Sequence, residues 1–207
     1  MAVILCYGDS NTHGTIPLEK LGAFARHAPG NRWPDVLGQA LGSEHQVISE
    51  GLPGRTTVHD DTVEGGMRNG LTVLPAILQS HAPIDLMVLM LGTNDLKNRF
   101  SVTAFEISRS LERLILATRA EGVVKDILLV SPVPVREAGV LKDVFAGAET
   151  RQQGLTSFIE AAADRQGVGF FDAGSAVSVS PVDGVHWDAA GHHAMGAAMV
   201  QAVASRL

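Results

Sequence analysis

The sequence predicts an α/β protein, a three-layer α/β/α sandwich with a five-stranded parallel sheet, and three observations carry that expectation. Five short apolar runs alternate with longer segments of helical period, which is the pattern of βαβ units and a parallel sheet. The third run is apolar without interruption over Leu86–Met90, as a strand covered on both faces must be. The chain of 207 residues, 45% of them apolar, suffices for one well-buried core and falls short of two generous domains. A single domain spanning residues 1–207 is expected, since no repeat, low-complexity segment or linker divides it.

The expected strands, in order, are Val3–Tyr7, Gln46–Ser49, Asp85–Leu91, Asp126–Ser131 and Gly169–Phe171. Cys6, inside the first run, reads as a small buried hydrophobe. Helical periods fall at Trp33–Leu41, Leu71–Ser80, Ala104–Arg119, Ala148–Gln166 and Ala189–Arg206. Trp33 opens the first of these and should pack. In the third, Phe105, Ser108, Leu111, Glu112, Ile115 and Leu116 keep close to helical spacing. Asp188 is the candidate N-cap of the last, which places His192 and His193 at the surface or the core edge. Three stretches resist the alternation: Asn11–Asn31, Arg55–Gly70 and Pro132–Gly147. Each follows the carboxyl end of an expected strand, where open α/β sheets form their ligand crevice. That sets a location and not a chemistry.

Composition removes several function classes. The formal net charge is −6 and no run of Lys and Arg could follow a phosphate backbone, which argues against a nucleic-acid partner. The one cysteine excludes an internal disulfide and a Cys-rich metal site. His59 beside Asp60 and Asp61 lacks a distant ligand at metal spacing and reads as a solvated loop, so neither metal nor cofactor is expected. His13, His27, His45 and His81 have no partner identifiable from sequence. The opening MAVILCYGDS has no basic segment and no adequate apolar length for a secretory signal, and no run approaches the roughly twenty residues of a membrane span. A cytoplasmic protein with no membrane partner is expected.

The stretch CYGDSNTHG puts Ser10 where an apolar strand becomes a loop. Turn propensity alone accounts for Gly, Asp and Ser there. Other strand ends carry related punctuation: Gly51-Leu52-Pro53-Gly54, Gly92-Thr93-Asn94-Asp95, and Asp183-Gly184-Val185-His186 before the last helix. A parallel sheet would bring these tips together and supply the parts of acyl transfer. Ser10 would be the nucleophile, His186 the base that activates it, and Asp183 the carboxylate that orients the imidazole. Asn94 Nδ2 and the backbone N–H groups of Ser10 and Gly54 would form the oxyanion hole, with glycine at 54 admitting close backbone approach. Asp9 and Asp95 read as caps. Each residue alone has an ordinary turn explanation; four blocks together favour catalysis. Gly8-Asp9-Ser10 followed by Gly14 is no phosphate loop, and G-x-S-x-G is absent.

GDS, the glycine after the second strand, GTND and DGVH occur in order over essentially the whole chain, and in this the sequence resembles the SGNH hydrolases, or GDSL esterases. The resemblance implies a flavodoxin-like fold, with Ser10, Gly54, Asn94 and His186 in the roles argued above. EGLPGRTT and MLGTNDLK look most like the short-chain arylesterase and acyltransferase branch, which implies a small ester substrate and an oligomeric assembly, with perhydrolysis in some members. GDSNTHG departs from the family's GDSLTWG, so Asn11 and His13 are expected to give the acyl pocket a more polar wall or a different shape. Arg55 either touches substrate or forms a surface ion pair; Val144, Phe145 and Trp187 are further pocket candidates. A carbohydrate O-deacetylase or a thioesterase would use the same triad. A non-catalytic flavodoxin-like binding module would leave the Asp183–His186 pairing unexplained.

Overall fold

A computed structural model describes all residues, Met1–Leu207. Five strands, β1 (Ala2–Gly8), β2 (His45–Gly51), β3 (Ile84–Met90), β4 (Val124–Ser131) and β5 (Gly169–Asp172), form one parallel sheet in the order β2-β1-β3-β4-β5. Period-two alternation sends successive side chains to opposite faces. Leu5, Tyr7, Met87 and Leu89 face one core, while Ile4, Cys6, Leu86 and Val88 face the other. The first face is covered by α3 (Gly70–His81), α4 (Ala104–Glu121) and α6 (Leu155–Gln166) through Leu74, Leu111 and Ile159. The second is covered by α2 (Trp33–Leu41) and α7 (Ala189–Ala204) through Leu37, Met195 and Met199. This is the expected three-layer sandwich. No helix is long and apolar enough to cross a membrane.

Two helical expectations need correction. The segment from Ala148 divides into α5 (Ala148–Arg151) and α6. Gly154, with φ +77°, breaks it, and Gln152 uses its side-chain amide to pair with both the N–H and the C=O of Val135, each at 2.9 Å. In α4, Ser108, Leu111, Glu112 and Ile115 are buried as expected, together with Ile107, Leu114 and Thr118, whereas Phe105 and Leu116 are half exposed. Phe105 instead meets Phe158 of α6 edge-on, with centroids 5.7 Å apart.

The chain leaves β1 toward β2 on one side and returns to β3 on the other, so the sheet's switch point lies between β1 and β3. A crevice opens at such a point. The short helix α1 (Ser10–His13) starts at the tip of β1 and packs on two glycines, Gly8 of β1 and Gly51 of β2. A Cβ on Gly51 would lie 2.1 Å from the His13 nitrogen, and one on Gly8 would lie 2.1 Å from Thr12 Oγ1. Gly51→Ala is therefore expected to push α1 off the sheet, at about 1–3 kcal/mol. A lowered thermal midpoint would show it; an unchanged midpoint would refute the close approach.

Candidate active site

Asp9 accepts from the Asn11 N–H at 3.0 Å and turns the chain into α1, which Gly14 ends in the left-handed conformation. This turn presents Ser10 at the tip of β1. The loop before α7 is closed by its own bonds, Ser180 N–H to His186 O at 2.8 Å and Gly184 N–H to Ser180 O at 2.9 Å. It brings His186 Nε2 to 3.0 Å from Ser10 Oγ. Asp183 Oδ2 lies 2.6 Å from His186 Nδ1 and also accepts from the Leu18 N–H at 2.7 Å. Its Oδ1 accepts from the N–H groups of Val185 and His186. Burial alone would raise the Asp183 pKa, but the hydrogen bond from His186, with these backbone donors, holds it below the usual carboxylate range. An ionised Asp183 keeps the imidazole proton on Nδ1 and leaves Nε2 free to accept from the serine hydroxyl.

Asn94 follows β3 in a short 3₁₀ turn, and its Nδ2 donates to Arg55 O at 3.1 Å. That bond aims the amide, and the second N–H on Nδ2 remains for a ligand. The Gly54 N–H meets no acceptor in the chain's turns and caps, and Ser10, first in α1, has none inside its helix. Ser10, Gly54, Asn94 and His186 line one cavity of about 170 Å³. Leu18, Phe24, Leu141, Val144, Phe145 and Val185 supply an apolar wall, and Glu64, Arg68 and Lys97 supply a charged one.

Asp9 lies directly behind the serine and is almost fully buried. Burial raises its pKa to about 6, against the Asn11 N–H, a hydrogen bond from Thr93 and the nearby His186 and Arg55. For a carboxyl group with a raised folded pKa, the penalty is absent below the unfolded value of 3.8 and grows as pH rises to about 6. Asp9→Asn should remove about 3 kcal/mol of stability loss between those pH values. Equal pH dependence of unfolding in the two proteins would refute that cause.

Of the other pocket candidates, Val144 and Phe145 line the cavity and four residues do not. Arg55 is neither a pocket residue nor a surface one. It is buried, lies 4.1 Å from the Tyr7 ring centroid, and donates to Gly8 O at 2.9 Å and to Glu50 O. Asn11 is buried with Nδ2 on Val185 O at 3.1 Å, so it ties α1 to the His186 loop. His13 stands behind the cavity, 3.2 Å from Thr15 Oγ1 and against Phe24. Trp187 turns away into the α2–α7 core.

Further corrections follow from the same loops. His192 is fully buried between Trp187 and His27, and burial, followed by the nearby His27, lowers its pKa to about 3. Asp95 does not cap; it is buried and accepts from the Thr57 N–H and hydroxyl. Asp61 is no solvated loop residue either, because Lys97 and Arg99 hold it buried. His81 pairs with Glu50 at 2.9 Å, and His27 Nε2 lies 3.2 Å from Trp187 O. Leu18, Phe24, Glu64, Arg68, Leu141 and Val185 were not anticipated in the cavity. The only sequence signal for the first five was their position in the three irregular stretches.

A serine, histidine and aspartate in hydrogen-bond sequence at the strand ends of an α/β/α sandwich define the class: a serine hydrolase. The chain belongs to the GDSL-like lipase/acylhydrolase family, whose model matches residues 6–194; it is a carboxylic ester hydrolase. It is similar over 100% of both chains to the structure of an aryl esterase of M. smegmatis, at 38% identity and a TM-score of 0.95. A carbohydrate acetylesterase from Sinorhizobium meliloti matches over 100% of both chains at 33% identity and a TM-score of 0.95. A carbohydrate acetylesterase family member from the same organism matches over 100% of this chain and 99% of its own, at 41% identity and 0.92. No match was found among the curated proteins.

Proposed function

We propose that Ser10, His186 and Asp183 hydrolyse short-chain acyl and aryl esters through an acyl-enzyme, within one domain that spans the chain. The Ser10 Oγ to His186 Nε2 approach of 3.0 Å carries this reading. In the first half-reaction Ser10 Oγ bonds to the ester carbonyl carbon while His186 Nε2 takes the hydroxyl proton. The carbonyl oxygen becomes an oxyanion, to which the N–H groups of Ser10 and Gly54 and Asn94 Nδ2 donate. Collapse breaks the bond to the alcohol oxygen, which leaves with the proton from His186. Water then repeats the sequence on the acyl-serine and releases the acid.

The acyl limit follows from size. A cavity of about 170 Å³ is below the roughly 300–1,000 Å³ of typical ligand pockets, which favours short acyl groups. The test is kcat/KM on p-nitrophenyl acetate, butyrate and octanoate. The octanoate value is expected to be at least about tenfold below the acetate value; a rate that climbs with chain length would overturn the assignment. Transfer of the acyl group to alcohols or peroxide is a refinement of the same acyl-enzyme, read from product ratios in water–alcohol mixtures. Exposed Leu21, Phe24, Val63 and Met67, on the two loops that border the cavity, support assembly into a homo-oligomer. Light scattering at the mass of one chain would refute it.

A further inference from the structure

We propose that Glu64 and Arg68 together read a hydroxyl group on the alcohol half of the ester; the inference rests on the esterase reading of Ser10. Both side chains line the cavity beside Gly54. A Cβ on Gly54 would lie 3.1 Å from Arg68 Nε and 3.1 Å from Glu64 Oε2. The two atoms are thus at most twice that distance apart, yet they do not bond each other. Glu64 uses Oε1 for Lys97 at 2.7 Å and Arg99 at 3.5 Å. Arg68 Nε is buried with no hydrogen-bond partner in the chain. The Arg68 backbone is fixed, because its C=O accepts from the Thr56 N–H at 2.9 Å and its N–H donates to Gly66 O at 3.1 Å.

A lone donor beside a carboxylate oxygen, too far apart to pair, matches a hydroxyl, which accepts one hydrogen bond and donates another. Asp61 and Glu64 balance Lys97 and Arg99, so Arg68 is the charge left over. A substrate carboxylate would gain from Arg68 but would set its acceptor oxygens against Glu64 Oε2, itself an acceptor. A hydroxyl suits both. The acyl chain is claimed by the apolar wall of Leu141, Val144, Phe145 and Val185. The charged wall therefore faces the alcohol, and the favoured substrates are esters of diols, polyols or sugars.

Ethyl acetate and 2-hydroxyethyl acetate differ by one hydroxyl, and their kcat/KM ratio, corrected for alkaline reactivity, is the readout. Wild type is expected to favour the hydroxylated ester by about 10- to 100-fold, mostly through KM. Arg68→Met and Glu64→Gln should each bring the ratio close to one, and Arg68→Met removes no bond within the chain. A wild-type ratio near one, or a ratio unchanged in both variants, overturns the proposal. So does preference for an acetate whose alcohol carries a carboxylate, which would assign Arg68 alone to an anion. Turnover of p-nitrophenyl acetate by the same preparation separates the failures. With it, only the hydroxyl reading falls; without it, the esterase reading falls and takes the hydroxyl reading with it.

Discussion

Ser10→Ala is expected to lower kcat on p-nitrophenyl acetate by about 10⁴- to 10⁶-fold while leaving the fold intact. The serine hydroxyl accounts for one hydrogen bond, to His186 Nε2, and α1 is held by backbone bonds and the Asp9 cap that alanine retains. Loss of activity with an unchanged thermal midpoint would therefore report chemistry and not unfolding. His186→Ala should cost nearly as much, since base and nucleophile act as one unit and their losses do not add. Asp183→Asn should cost less than either, about 10²- to 10⁴-fold. All four of the Asp183 bonds in the structure are accepted ones, on two oxygens. An amide must turn one NH₂ group toward donors, which disturbs both the loop and the imidazole tautomer. Ester turnover by Ser10→Ala near the wild-type rate would remove the Ser10 acyl-enzyme and place the nucleophile elsewhere. Equal rates for wild type and Asp183→Asn would remove Asp183 from the site.

The fold and the four strand-end residues were legible because their signals are local. VILCY and the apolar run through Leu86–Met90 mark strands covered on both faces, and Ser10 and Asn94 follow them directly in the chain. Asp183 and His186 are three residues apart on one loop, so sequence spacing already implies contact. Arg55 and Trp187 were misplaced for the opposite reason. Each sits beside a site residue in sequence, but its side chain points to a different core, and adjacency says nothing of direction. The sequence leaves His192 between the surface and the core edge, because α7 is apolar nearly all round and offers no polar face from which to set a phase. The Asp61–Lys97 and Asp95–Thr57 contacts join loops 36 and 38 residues apart. No periodicity records such a pairing, and only the folded loops bring the partners together.

Asp61→Asn is expected to be the most destabilising single change among the charged groups, by about 3–5 kcal/mol. Asp61 and Lys97 have side chains 0% and 3% exposed, so removing the carboxylate charge leaves a buried ammonium with Glu64 as its one remaining counter-charge. Asp61 also accepts from Arg99 at 2.7 Å and from the N–H groups of Val63 and Glu64, and so ties the loop after β2 to the loop after β3. Burial by itself would raise the Asp61 pKa, but Arg99, the backbone donors and Lys97 outweigh it and hold it at about 2. A carboxyl group with a lowered folded pKa stabilises the fold above its unfolded value of 3.8 and loses that contribution as pH falls toward about 2. The shift corresponds to about 2 kcal/mol. Wild type should therefore lose stability across that window, and Asp61→Asn should lose correspondingly less. At about 2–4 °C per kcal/mol for a chain of this size, its thermal midpoint at neutral pH should fall by roughly 6–20 °C. Because Glu64 and Lys97 also line the cavity, the same network that stabilises the loops shapes the wall facing the substrate. A midpoint within a degree of wild type would show that the ion pairs balance their own desolvation. The charged wall would then be retained for its place in the pocket and not for the fold.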